Sequence, residues 1–137
     1  MIHNNGRRKI STKFMVVLLT SFMLGMGAQH MHTQNSKVTV SWYGKRFHGR
    51  ATASGELYDM YDYTAAHKHL PFGTLVQFTN PETKKTITVR INDRGPYIPG
   101  REYDLSAQAA EALGVKQAGV ANVYATIIPP PSIKKDS

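Results

Sequence analysis

The 137-residue sequence contains no cysteine. This absence excludes a disulfide framework, thiol catalysis and a cysteine-ligated zinc site, so core packing alone must hold the fold together. It also excludes a lipid-modified N-terminus, which needs a cysteine directly after the apolar part of the signal sequence. We therefore expect a domain that is not disulfide-bonded and is not a lipoprotein.

No apolar run is long enough to cross a bilayer. Residues 14–27 form a 14-residue, mostly apolar run, whereas a membrane-spanning helix needs about 20 residues. Basic residues precede the run and small residues end it near Ala28, a pattern typical of a secretory signal peptide. We predict a signal peptide over residues 1–28, export to the periplasm or the medium, and no stable membrane insertion after cleavage. An uncleaved anchor is the alternative. The basic residues are Arg7, Arg8, Lys9 and Lys13.

Acidic residues are scarce: 9 Asp and Glu stand against 17 Lys and Arg, a formal charge of +8. Four of the basic residues belong to the predicted signal peptide, which leaves 13 basic and 9 acidic residues and a charge of +4. A mildly basic domain suits an anionic polymer or surface. The basic residues are scattered and form no recognition motif, so no nucleic-acid partner is predicted.

Histidine is the residue type left for a metal site. His67 and His69 form the tightest pair, and on a strand their side chains would share a face. No carboxylate lies close to them in sequence to complete a set of ligands. We therefore predict neither a metal nor any other cofactor.

Alternation of apolar and polar residues predicts several short strands. The pattern starts at Lys37 and returns in residues 74–79, 86–91 and 121–128. An Asn80-Pro81 turn signal lies between the second and third of these runs. We expect those two strands to form a hairpin.

The boundaries of the domain follow from composition. Residues 29–36 are polar and patternless and are interpreted as a flexible leader. Prolines at 129–131 stop any strand ladder. The sequence thus predicts a domain over residues 37–128 and a C-terminal tail over 129–137.

One helix is predicted, over residues 107–113, where the sequence AQAAEAL has high helix propensity. Asp104 or Ser106 could cap its N-terminus, and Gly114 stands where a helix-ending glycine belongs. Many short strands and one short helix indicate a mainly β fold. A small closed barrel is expected, because closure removes exposed sheet edges.

The chain also repeats itself weakly. Residues 55–60 (GELYDM) and 100–105 (GREYDL) share glycine, tyrosine, aspartate and an apolar residue in register. If this similarity is real, two similar halves build one barrel.

Two carboxylates are candidates for chemistry. Asp93 ends the run INDRGPY and, by alternation with Val89 and Ile91, is expected at the edge of the core. A carboxylic acid held partly dry is what glycosidic cleavage requires, because a proton must reach the leaving oxygen. Asp93 could equally just stabilise the Gly-Pro turn. Glu56 could face the same cleft or be a solvated loop charge, and Arg94 could reach a substrate anion or a second carboxylate.

Four blocks of the sequence resemble, in order and spacing, the rare lipoprotein A family of septal-ring lytic transglycosylases. The match runs from about residue 38 to residue 128. The resemblance implies a six-stranded double-psi β-barrel with one or two short helices, built from two interlocked halves, and we expect a monomer. The blocks are SWYGKRFHGRATASGELYDM, TAAHKHLPFGTLVQFTN, ITVRINDRGPYIPGREYDLS and AAEALGV.

The resemblance also implies an activity. Its members cleave the β-1,4 bond between N-acetylmuramic acid and N-acetylglucosamine in peptidoglycan glycan strands, leaving 1,6-anhydro ends and preferring glycan without stem peptides. Matching residues here are Asp93 as acid and then base, Glu56 as charge stabiliser or proton partner, and His67 as an orienting or merely structural histidine. Weaker matches, for substrate contacts, are Trp42, Tyr43, Arg94 and Tyr97, although alternation also predicts Trp42 in the core.

Two departures leave other functions open. Many members of the family carry a lipid anchor and a peptidoglycan-binding repeat domain; this sequence has neither, so a soluble periplasmic or secreted enzyme is expected rather than a septal one. The alternatives are an expansin-like wall binder without catalysis, a scaffold-type secreted effector, and a hydrolase. A hydrolase needs a second carboxylate about 6.5 to 9.5 Å from the acid.

Overall fold

Short strands joined by longer loops make up residues 34–131, the part of the chain that the computed structural model describes. The predicted signal peptide, residues 29–33 of the predicted leader and the last six residues of the predicted tail lie outside this range. A short 3₁₀ turn, Lys45–Phe47, follows the first strand. The elements are β1 Asn35–Trp42, β2 Thr64–Ala66, β3 Leu75–Thr79, β4 Thr86–Asp93, β5 Tyr103–Leu105, α1 Ala107–Leu113 and β6 Ala121–Ile128.

The six strands close into a barrel in the order β1-β5-β2-β4-β3-β6. β1 pairs with β5, and β2 with β4, in parallel; the other neighbours are antiparallel. Exchanging β1 with β4, β2 with β5 and β3 with β6 leaves every pairing in place. The barrel therefore consists of two equivalent, interlocked halves, and the predicted mainly β, six-stranded double-psi barrel is confirmed.

The four strands predicted from alternation are present, and the predicted hairpin is the antiparallel pair β3 and β4. β1 starts at Asn35, because Asn35 and Ser36 pair with Thr126 and Ala125 of β6. The last two residues assigned to the leader therefore belong to the barrel. Alternation did not reveal β2 and β5, since three residues are too few to display a period of two.

Apolar side chains fill the barrel. The largest of them, Phe78, Ile91 and Leu105, come from three different strands and are fully buried. Leu113 on α1 joins the same cluster and covers one side of it. Burying one such side chain stabilises the fold by about 1.5 to 3 kcal/mol, so the strand ends that carry polar residues are fixed to a rigid scaffold.

The two ends of α1 show which of the predicted residues cap the helix. Ser106 caps α1, since its Oγ accepts a hydrogen bond from the Ala109 N–H at 3.2 Å. Gly114 ends the helix with φ +76°, a conformation that favours glycine. Of the two predicted caps, Ser106 is thus confirmed and Asp104 is not. Asp104 instead accepts a hydrogen bond from Ser41 Oγ.

The barrel does consist of two similar halves, but the two similar sequence segments are not equivalent parts of those halves. Residues 103–105 form β5, whose counterpart in the other half is β2. The similar residues 58–60 lie in the loop before β2 and form no strand. The two segments therefore do not occupy equivalent places in the barrel.

Candidate active site

A bulge at the end of β4 determines which side chains reach the surface there. Ala65 of β2 pairs with Ile91 and Ala66 pairs with Asp93, so Asn92 is an extra residue in β4. Ile91 and Asn92 are consequently both buried, and Asp93 is half-buried. The expectation that strict alternation places Asp93 with Val89 and Ile91 is wrong, because the period is broken at Asn92.

Three hydrogen-bond donors hold the Asp93 carboxylate. The backbone N–H groups of Ala53 and Arg94 donate to Oδ1 at 2.9 and 2.8 Å. The Tyr43 hydroxyl donates to Oδ2 at 2.8 Å. A carboxylate oxygen accepts about two hydrogen bonds, so Oδ1 is fully used and Oδ2 has one acceptor position left. That position is where Asp93 can meet a proton or a substrate hydroxyl.

Tyr43 forms one wall beside Asp93. Its ring packs against Phe47 and Tyr58, with centroids 5.9 and 5.0 Å apart. Burial, and next the hydrogen bond to Asp93, raise the pKa of the phenol well above its ordinary value. Tyr43 therefore keeps its proton and acts as a permanent donor to Asp93.

Glu56 lies on a loop that docks on the bulged end of β4. Asn92 Nδ2 donates to Glu56 Oε2 at 3.0 Å, and Arg90 Nη1 lies 2.6 Å from Glu56 Oε1. The Ser54 N–H donates to the Asn92 carbonyl at 3.2 Å and anchors the loop. The hydrogen bond from Asn92, and next the one from Arg90, lower the pKa of Glu56. Glu56 is thus a fixed, ionised carboxylate with 46% of its side chain exposed.

His67 is held in one orientation by the backbone. Its Nδ1 accepts hydrogen bonds from the His69 and Leu70 N–H groups, both at 3.0 Å. Burial first, and then the positive charges of neighbouring residues, lower the pKa of His67. The imidazole is therefore neutral near pH 7, with its proton on Nε2. Within residues 34–131 the imidazole makes no hydrogen bond to either carboxylate. The backbone N–H of His67 donates to the Asp93 carbonyl at 3.2 Å.

The Arg94 guanidinium supports the neighbouring loop. Its Nη1 donates to the carbonyls of Leu70 and His67 at 2.8 and 3.2 Å. It also stacks on Phe72, with Cζ 3.9 Å from the ring centroid. The structure thus gives Arg94 a role in holding the His67 loop, and its predicted contact with a substrate anion stays a prediction.

The other two predicted substrate contacts differ in exposure. Trp42 is half-buried against the core, and its Nε1 donates to the Lys116 carbonyl at 3.0 Å. Its placement agrees with the core position that alternation predicts. Tyr97 is 77% exposed, so its ring is open to a ligand.

Two further properties concern residues 34–131 only. No three His, Asp or Glu side chains of this range are grouped as ligands of one metal ion would be. None of its helices has both the length and the apolar character that crossing a membrane demands.

Comparison with known proteins identifies the domain. A family model described as "Lytic transglycolase" matches residues 35–125. The chain belongs to the lytic transglycolase family. The endolytic peptidoglycan transglycosylase RlpA of Vibrio cholerae is 56% identical over 89 residues, which cover 65% of this chain and 34% of the relative. The resemblance to the rare lipoprotein A family is thereby confirmed, for a chain that spans 34% of that relative's length.

Solved structures extend the likeness beyond the lytic transglycolase family. The Streptomyces papain inhibitor has a TM-score of 0.57 and is 20% identical, with 70% of this chain and 96% of the inhibitor covered. The expansin of Clavibacter michiganensis also has a TM-score of 0.57 and is 19% identical, covering 73% of this chain and 53% of the expansin. At such identities the likeness concerns the fold alone.

The lytic transglycolase barrel brings together polar residues that sequence reasoning missed. Arg90 and Asn92 of β4 fix Glu56, and Ser41 of β1 binds Asp104 of β5. Arg90 could have been predicted to face outward, since it takes a polar position in an alternating strand. The contact of Asn92 with Glu56 could not have been predicted, because only the bulge turns Asn92 towards Glu56. Asp104 was considered only as a helix cap.

Proposed function

We propose that this chain is an endolytic peptidoglycan lytic transglycosylase. It cleaves the β-1,4 bond between N-acetylmuramic acid and N-acetylglucosamine and leaves 1,6-anhydromuramic ends. The observation that carries the proposal is the Asp93 carboxylate, half-buried at the end of β4, held by three donors and left with one acceptor position on Oδ2. The identity to a relative named for this activity supports it.

Asp93 exchanges protons with the sugar in this reaction. In the simplest course it protonates the glycosidic oxygen as an acid and then, as a base, accepts the proton of the muramic 6-hydroxyl. That hydroxyl attacks C1 of its own sugar, so no water is consumed. Intramolecular attack benefits from a high effective concentration of the hydroxyl.

Glu56 stabilises the positive charge that develops on the sugar ring. Its pKa is lowered by Asn92 and Arg90, so it is ionised at neutral pH. A fixed negative charge facing an oxocarbenium-like transition state lowers the barrier. His67 positions the Asp93 backbone through its own N–H rather than through the imidazole.

Aromatic residues provide the sugar contacts. Tyr97 is exposed and can stack on the C–H face of a sugar ring. Tyr43 forms the wall next to Asp93, and Arg94 holds the loop that carries His67. Trp42 is proposed as a further sugar contact. We further propose that the protein is exported by the predicted signal peptide and acts on glycan from which stem peptides have been removed.

Mass spectrometry of soluble products tests this proposal. The purified protein is incubated with peptidoglycan sacculi, both untreated and stripped of stem peptides by an amidase. We expect products one water lighter than the corresponding reducing sugars, more of them from the stripped sacculi, and about 10²- to 10⁴-fold slower formation with Asp93→Asn. Ordinary reducing ends would indicate a hydrolase instead. Sedimentation with sacculi without any product would indicate a wall-binding module.

A further inference from the structure

Asp93 and Asp104 lie in one row of the barrel with only Ala66 between them. β2 has β4 on one side and β5 on the other, and Ala66 pairs with Asp93 in the first and with Asp104 in the second. Ser41 of β1 continues the row beyond Asp104. Strands lie about 4.8 Å apart, so the two aspartate Cα atoms are roughly 10 Å from each other. Paired residues project to the same face, and the alanine between these two contributes only a methyl group.

Tyr43 connects the two aspartates. Its hydroxyl donates to Asp93 Oδ2 at 2.8 Å. The negative charges of both Asp93 and Asp104 add to the burial that raises the pKa of the phenol. The phenol therefore stands close enough to both carboxyls to sense each of them.

The two carboxyls differ in the number of hydrogen bonds that they accept. Asp93 accepts three hydrogen bonds, two of them from backbone N–H groups that cannot turn away. Among residues 34–131, the Asp104 carboxyl accepts one hydrogen bond, from the buried hydroxyl of Ser41. Asp93 thus keeps one acceptor position, on Oδ2, whereas the Asp104 carboxyl has room for a proton of its own on the oxygen that accepts no hydrogen bond.

The charges around Asp104 agree with this division. Burial, and to a smaller extent the negative charge of Asp93, raise the pKa of Asp104. The hydrogen bond from Ser41 and the positive charge of Arg101 act in the opposite direction without cancelling them. Asp104 thus keeps its proton to a higher pH than an ordinary aspartate.

We infer that Asp104 is a second catalytic carboxyl, which protonates the leaving oxygen while Asp93 accepts the proton of the attacking hydroxyl. The inference rests on the proposed function and replaces its simplest course, in which Asp93 does both. Asp104 gives its proton to the glucosamine O4 as the C1–O4 bond breaks. The muramic O6 forms the bond to C1, and its proton passes to Asp93 Oδ2. Proton exchange with solvent then returns Asp93 to the ionised form and Asp104 to the protonated form.

Two substrates separate an acid from a structural residue. Peptidoglycan has a poor leaving group that needs a proton, whereas an aryl β-glycoside of N-acetylmuramic acid releases a phenolate that does not. We expect Asp104→Asn to slow glycan cleavage about 10²- to 10⁴-fold and to leave release of the aryl group within a few-fold of wild type. Asp93→Asn should impair both. Glu102→Gln, which changes an exposed carboxyl at the start of the same segment, is the matched control and should impair neither.

Ser41→Ala provides a second readout, for the case in which Asp104→Asn does not fold. Loss of the Ser41 hydrogen bond removes an influence that lowers the pKa of Asp104. Because the acid must be protonated to act, the alkaline limb of the pH–rate profile should move to higher pH in this variant. A structural role for Ser41 would reduce the rate without moving the limb.

The outcomes distinguish this inference from the proposed function. If wild type yields anhydro products and Asp104→Asn yields them at the same rate, only the role of Asp104 is refuted. Equal losses on both substrates, or an alkaline limb that Ser41→Ala does not move, also refute it. If wild type acts on neither substrate, the proposed function itself fails.

Discussion

The two parallel strand pairs occupy equivalent positions in the halves of the barrel but end differently. β1 runs beside β5 in unbroken register as far as Trp42, whose ring packs against the core. β4 runs beside β2 only as far as Ile91 before the register shifts, and it ends at Asp93. Two residues beyond each end stands a glycine. Gly44 has φ −72°, which any residue adopts, whereas Gly95 has φ +121°.

The extra residue Asn92 thus distinguishes the end of β4, which carries the candidate active site, from the end of β1, which packs against the core. In β1 alternation continues to the last residue, so the end of the strand contributes to stability. In β4 the bulge turns Asn92 towards Glu56 and brings Asp93 within reach of the Ala53 and Arg94 N–H groups. The halves share an architecture, and the local irregularity of one of them provides the candidate chemistry.

The largest expected effect comes from removing the charge at the bulged end. Asp93→Asn preserves shape and should lower the rate of glycan cleavage by about 10²- to 10⁴-fold, because proton transfer at this position is lost. Product formation from stripped sacculi measures the rate, and thermal denaturation checks the fold. Asp59→Asn, which changes an exposed aspartate in the loop before β2, serves as the control. An active, folded Asp93→Asn variant would assign Asp93 to turn stability alone.

A smaller loss is expected from the loop that docks on this end. Glu56→Gln should reduce cleavage by roughly 10- to 100-fold, at or below the range for a lost electrostatic stabiliser, because 46% of the Glu56 side chain is exposed. Arg90→Met tests the same carboxylate differently. Arg90 helps to lower the pKa of Glu56, so this change should move the acidic limb of the pH–rate profile to higher pH. Unchanged rates in both variants would make Glu56 a solvated loop charge.

The longer strands and the helix could be predicted from the sequence, whereas the bulge at the end of β4 could not. Alternation identified β1, β3, β4 and β6, and helix propensity with Gly114 identified α1. The many short strands predicted a closed barrel, and the family resemblance supplied its double-psi topology and the roles of Glu56, His67 and Asp93. Nothing local in INDRGPY reveals that Asn92 is an extra residue, because a bulge is defined by the partner strand.

The contacts that residues make within the site could not be predicted from the sequence either. Arg94 follows Asp93 in sequence, but its Nη1 binds carbonyls of a loop more than twenty residues earlier in the chain. Asp104 and Ser41 meet only because β5 inserts beside β1, a pairing 63 residues apart. Contacts of this kind depend on the long-range strand order, and a sequence pattern reports only its own neighbourhood.

The two glycines allow the strand ends to be compared directly in stability. Gly95→Ala should destabilise the fold by about 1 to 3 kcal/mol, the cost of holding a non-glycine residue in a disfavoured conformation. Its new methyl group would meet only Tyr97, whose ring lies at 3.7 Å and whose backbone N lies at 3.9 Å, so the experiment measures strain rather than a clash. Gly44→Ala should be neutral or stabilising by up to about 1 kcal/mol. Urea denaturation measures both, and equal effects would show that the two ends are conformationally alike.

The smallest expected effect is a pH dependence beside the bulged end. The pKa of His67 is lowered, first by burial and then by the charges of His69, Arg94 and Lys68. Protonation therefore favours the unfolded chain, in which a histidine titrates near pH 6.5. The stability that neutral His67 contributes should be complete above that pH and should decline as the pH falls towards the lower folded value.

His67→Asn isolates this contribution, because an asparagine Oδ1 can replace Nδ1 as acceptor for the His69 and Leu70 N–H groups but does not titrate. We expect the wild-type protein to lose stability relative to the variant as the pH is lowered from 7.5 to 5.5, by less than the cost of Gly95→Ala. Urea denaturation at several pH values measures the difference. A difference that stays constant across this range would show that His67 is not linked to folding by a proton, and that its role at the bulged end is the fixed acceptor alone.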